Sequence, residues 1–139
     1  MPILTRWIIR NSFVYLGLGL ALGILLAGQS IWHLPAFITA LFPGYIHLLT
    51  VGWLTLLIFG VAYWMFPKYT MERPHGSDAL NWAAFILLSL GLVIRIVCEP
   101  ISSQSQGAIL GWLLALSAFL QWLGGLGFIV SLWMRVKVK

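Results

Sequence analysis

The sequence predicts an all-α integral membrane protein, one domain over residues 1–139 built as a bundle of four transmembrane helices with both termini cytoplasmic. Three observations carry that expectation. Hydrophobic residues make up 61% of the chain and charged residues 8%, against roughly 25% charged in a typical globular protein, which is too few to build a polar shell. Four apolar stretches, about 12–32, 46–66, 80–97 and 108–133, each have roughly the 20 residues that an α-helix needs to cross a hydrocarbon core. Lys and Arg collect in alternate connections, as cytoplasmic segments require. So short a chain does not close a barrel and lipid satisfies no open strand edge, so the spans are helices.

The first span follows Arg6 and Arg10, and its apolar run exceeds the roughly 7–15 residues of a signal-peptide core, so it reads as a retained helix. Gly19, Gly23 and Ala27 form a row of small residues that lets another helix approach closely. The first connection, His33–Tyr45, contains no Lys or Arg and is expected outside. The second span opens on His47 and carries Trp53 six residues later. Lys68 and Arg73 follow it and place the second connection in the cytoplasm. The third span holds Arg95 and ends near the lone cysteine, Cys98, which excludes an internal disulfide. Its outer connection, Glu99–Gly107, has no basic residue. The fourth span has Ala108 and Ala115 early and Gly124, Gly125 and Gly127 late, with Ser117 and Gln121 suited to interhelical hydrogen bonds. Arg135, Lys137 and Lys139 follow it. Seven of the eight basic residues obey the charge rule, so the net charge of +5 reflects topology and anionic lipid, not nucleic acid. Trp7, Trp32, Trp64, Trp82 and Trp133 mark the interfaces, while Trp53 and Trp112 fall deeper.

Ionisable groups within the spans are functional candidates by default, and there are two, His47 and Arg95. The antiparallel course of the second and third helices brings both to the same depth on the outer side. A neutral imidazole is an axial ligand for haem iron, and a guanidinium matches a propionate carboxylate. His47 as iron ligand, Arg95 as propionate partner and Trp53 as a pocket wall would together suit a haem standing edge-on. The plainer readings stand beside it. His47 can hydrogen-bond near a helix start, Arg95 can snorkel or pair with Glu99 at i+4, and Trp53 can fill the bundle. His33 is either a second ligand or a surface residue, and His75 lies in the cytoplasmic connection. No CxxCH, HExxH, nucleotide-binding glycine loop or Ser-His-Asp set appears, so any haem is bound non-covalently and one chain holds no complete catalytic centre.

Residues 47–67, HLLTVGWLTLLIFGVAYWMFP, resemble the second helix of subunit I in the haem-copper oxidase superfamily, nearest its bacterial nitric oxide reductase branch. There a His near the outer end of the helix precedes an apolar run, a Gly, an aromatic pair and a Pro. The matching positions are His47, Gly60, Tyr63, Trp64 and Pro67. Subunit I is built of three arcs of four helices, and this chain is similar to one arc. The resemblance implies haem b ligated by His47. It also implies self-association in which two His47 side chains share one haem, and electron transfer alongside a respiratory-chain partner in the cell (inner) membrane. The histidines that hold the oxygen-reducing centre have no counterparts here, so the resemblance does not extend to a terminal oxidase. Gas or haem binding is the variant if only one His ligates. A non-catalytic accessory subunit or assembly factor of a respiratory complex is the alternative, and a small transporter is a weaker third.

Overall fold

The computed structural model describes residues 1–68, 71, 76–105, 107–133 and 135–136. These residues are all-helical apart from turns and connections, and four helices are long and apolar enough to cross a membrane. The first, α1, runs Ile3–Ala27. Short helices α2 (Gln29–Trp32) and α3 (Ala36–Thr39) follow. The second span continues through α4 (Phe42–His47), a π-helical segment (Leu48–Thr55) and α5 (Leu56–Met65). The third and fourth are α6 (Asp78–Ser102) and α7 (Ala108–Trp133).

Local chemistry explains the breaks. His33 adopts φ 47°, the left-handed turn that separates α2 from the restart at Pro35; histidine tolerates that region better than most residues. α5 stops at Phe66, which is extended at ψ 150°, because the ring of Pro67 excludes the helical conformation from the residue before it. Ser77 caps α6 by accepting from the Leu80 N–H at 3.3 Å, with Asp78 in the first turn. Both satisfy the positive end of a helix.

The fourth span has the expected bounds, and the others are longer or shifted. α1 starts at Ile3, so Arg6, Trp7 and Arg10 lie on the helix rather than before it, and it ends at Ala27. The second span reaches back to Ala36, and α6 continues past Val97 to Ser102. Hydropathy counts apolar side chains, whereas a helical backbone continues wherever long polar side chains can reach water.

The helices form two pairs. α1 lies along the second span, with Gly19 against Leu48 and Leu49, Gly23 against Tyr45, and Gly60 against Ile8 and Ile9. α6 lies along α7, where Gly91 meets the Ser117 carbonyl and Gly124 meets the backbone of Ala84 and Leu88. These glycines thus serve close packing within the bundle, whereas Gly125 meets nothing within 4 Å, and Ser117 donates to the Gly91 carbonyl at 2.7 Å. Between the pairs sit Tyr15, Leu56, Leu88 and Leu92, the stacked rings of Phe59 and Phe128 (4.7 Å), and a bond from Asn11 to Ser89. The outward faces are apolar, including Trp112, Phe119 and Trp122 of α7, as contact with lipid demands.

One end of the bundle is fastened by Arg135, which is 1% exposed. Its guanidinium donates to the carbonyls of Tyr63 (2.8 Å), Phe66 (2.6 Å) and Pro67 (3.0 Å) and lies over the Tyr63 ring. Helix ends leave carbonyls unsatisfied, and a cation suits their negative pole. Burial draws the Arg135 pKa below the ordinary arginine value, and the nearby Tyr63 pulls it the other way. The Tyr63 hydroxyl in turn donates to Asp78 at 3.2 Å, which joins the end of α5 to the start of α6. Met1, Pro2, Lys68 and Arg135 line one cavity, so the start of α1, the end of α5 and Arg135, two positions beyond α7, meet at the same end. Arg73, His75, Lys137 and Lys139 lie outside the described residues.

Candidate functional site

His47 closes α4 and is half-buried. Pro43 sits in the first turn of that helix, four residues earlier, so its carbonyl points along the axis toward the imidazole. Nδ1 of His47 lies 2.9 Å from the Pro43 carbonyl oxygen. A carbonyl only accepts, so Nδ1 carries the proton and donates, leaving Nε2 with its lone pair. Among the described residues nothing bonds to Nε2. Metal-ligating histidines are commonly oriented this way, by a backbone carbonyl on the far ring nitrogen.

The helix then widens. From Leu48 to Thr55 the backbone is π-helical, a geometry of i→i+5 bonding that is rare and concentrated at functional sites. Threonine hydroxyls decorate its carbonyls: Thr50 donates to Ile46 and Thr55 donates to Thr50, both at 2.8 Å. Gly52 lies at the centre, where a Cβ would meet Tyr15 at 2.9 Å and Leu92 at 2.8 Å. A side chain there would drive the widened turn away from α1 and α6. Trp53 is half-buried within this segment. Because the turn is wider than α-helical, the six-residue spacing does not fix its direction relative to His47.

Two contacts bracket the depth of His47 against α6. A Cβ on Gly44 would lie 3.9 Å from the Ile96 Cα, and Gly52 faces Leu92. His47 lies between Gly44 and Gly52, and Arg95 lies between Leu92 and Ile96, so the two occupy the same level. Both are further from their helix ends than apolar runs alone suggest. Arg95 precedes Ser102 by roughly two turns. Its Nη2 donates to Glu99 Oε1 at 3.3 Å. The i+4 pairing foreseen as the plainer reading is therefore the arrangement found. Arg95 Nε and Glu99 Oε2 are buried with no partner among the described residues, so the pair retains one spare donor and one spare acceptor.

Two clefts flank this region. One of about 450 Å³ lies between Leu18, Leu22, Leu48, Val93 and Ile96, and another of about 380 Å³ lies by Gly23, Gln29, Thr39 and Tyr45. His47, Trp53 and Arg95 line neither. His33 is exposed in the first connection. Among the described residues no group of three His, Cys, Asp or Glu converges as a metal cluster. Sequence reasoning missed the Pro43 anchor and the π-helical turn. The first had a signal in the i, i+4 spacing of Pro43 and His47, and the second had none beyond Gly52. No family model, curated protein or solved structure matches this chain. The likeness of residues 47–67 to the second helix of haem-copper oxidase subunit I rests on those residues alone.

Proposed function

We propose that this chain is a homo-oligomeric haem b-binding protein of the cell membrane, with its termini in the cytoplasm. His47 ligates iron through Nε2, and a second copy supplies the opposing His47. The observation that carries this reading is the 2.9 Å contact between His47 Nδ1 and the Pro43 carbonyl, which holds the ring in the tautomer a ligand needs. A bis-histidine haem supplies one-electron transfer when bound, with no open coordination site. The chain's own part is to orient the imidazole and hold the group in a low-dielectric layer. His47 lies on the second span and lines neither neighbouring cleft, which favours a site between copies over one within the bundle. Arg95, at the same depth, gives Nη2 to Glu99 and keeps Nε as the donor for a propionate.

A purified preparation should show a Soret band and about one haem per two chains, and His47→Ala should abolish both. A colourless wild-type protein expressed with ample haem overturns the reading. Glu99→Gln is expected to free the Arg95 guanidinium and slow haem loss to an excess of scavenging apoprotein. Unchanged loss in that variant removes Arg95 from the site. A colourless protein that co-purifies with larger membrane partners would instead support an accessory subunit of a respiratory complex. The outward aromatic face of α7, which packs chiefly on α6, favours that second reading.

A further inference from the structure

The end of the bundle where α1 begins and α5 stops carries a site that the haem reading does not use. A cavity of about 530 Å³ there is lined by Met1, Pro2, Trp64, Met65, Phe66, Pro67, Lys68 and Arg135. Its two cations differ in kind. Lys68 is exposed, whereas Arg135 is buried and fixed by three carbonyls. Carbonyls satisfy N–H groups but do not cancel the charge. Among the described residues no carboxylate pairs with Arg135, and none lines the cavity. Asp78, the nearby acid, accepts from Tyr63 instead. Among the described residues, the cavity's lining thus carries positive charge and no carboxylate.

Beside this cavity lies an apolar groove. Met65 and Phe66 line both the cavity and a cleft of about 620 Å³ that runs along the outer face of α5 past Leu57, Ile58, Val61 and Ala62. Trp64 and Met65 are exposed at the junction, where amphipathic aromatics suit the headgroup level. A positive pocket at the membrane surface beside a lipid-facing groove has the polarity to take an anionic amphiphile. Basic pockets between membrane helices on the cytoplasmic side bind anionic headgroups, and the topology proposed above puts this end there. We infer that this end is a binding site for an anionic phospholipid, its phosphodiester beside Lys68 and Arg135 and one acyl chain in the groove along α5. The site is independent of the haem reading, because His47 lies in the other half of the same span.

The test measures retained lipid by native mass spectrometry on the full chain, offered phosphatidylglycerol or phosphatidylcholine of matched chains. Phosphatidylglycerol should be preferred by about fivefold or more. A basic residue near a membrane surface contributes about 1 kcal/mol toward anionic lipid, a factor of about five. Lys68→Ala, an exposed change that leaves the Arg135 contacts intact, should lower that preference about fivefold. Ala62→Trp, which fills the groove, should weaken retention of both lipids. Equal retention of the two lipids, or a Lys68→Ala variant that matches wild type, overturns the headgroup site. Competition by inorganic phosphate as effective as the lipid, or full retention in Ala62→Trp, overturns the acyl-chain groove.

Discussion

Arg135→Ala is expected to destabilise the folded protein by about 3 kcal/mol, the largest loss from any single side chain considered. Three carbonyls at the end of α5, those of Tyr63, Phe66 and Pro67, take their donors from this one guanidinium. A buried polar group left without its partner costs about 1–3 kcal/mol, and a cation at a helix C-terminus contributes up to about 2 kcal/mol in buried geometry. The sum is discounted because water at the membrane surface regains part of the carbonyl bonding. Alanine also removes the cation over the Tyr63 ring, and that ring's hydroxyl is what ties α5 to Asp78 at the start of α6. Arg135→Lys keeps the charge, but one ammonium cannot reproduce a planar fork aimed at three oxygens, so about half the loss should remain. Unfolding in bicelles, followed by tryptophan fluorescence, checks both. If the two variants fall within about 0.5 kcal/mol of wild type, as most surface substitutions do, the fastening role is wrong.

That fastening explains much of what sequence could and could not reveal. The four spans were legible because hydropathy and length act locally, residue by residue. So was the packing role of Gly19 and Gly23, whose spacing places them on one helical stripe. Ser117 was legible too, since a hydroxyl within a span needs an interhelical partner. Arg135 read only as a topological charge, because its three partners lie 68 to 72 residues earlier and no periodicity links the two segments. His47 was legible as an anomaly, but the orientation of its ring was not. That depends on the Pro43 carbonyl, a backbone group that every residue type carries. The π-helical turn after it sets Gly52 between Tyr15 and Leu92, which belong to two other helices, so no local pattern announces it. Arg95 was legible with both of its readings open, and its bond to Glu99, one turn away on its own helix, favours the local one.

Adjacent glycines in α7 give the sharpest contrast the fold allows. Gly124→Ala should cost about 1–3 kcal/mol, while Gly125→Ala should be neutral or stabilising. A Cβ at Gly124 would lie 2.7 Å from the Leu88 backbone nitrogen and 2.8 Å from the Ala84 carbonyl oxygen. These are main-chain atoms in the middle of α6, so no side-chain rotation relieves the clash and the helices must separate. Overpacking of a close interface costs about 1–3 kcal/mol. Separation also stretches the 2.7 Å bond from Ser117 to the Gly91 carbonyl two turns away. Interhelical hydrogen bonds in membranes average about 0.6 kcal/mol, so that loss is secondary to the clash. At Gly125 a Cβ meets nothing within 4 Å, and alanine is favoured over glycine within a helix by up to about 1 kcal/mol. Composition, hydropathy and helix position are the same for the two sites, so only contact with α6 separates them. Equal stability of the two variants would show that α6 and α7 do not pack at this register. A loss confined to Gly124→Ala would establish the close approach of α6 and α7 at this register.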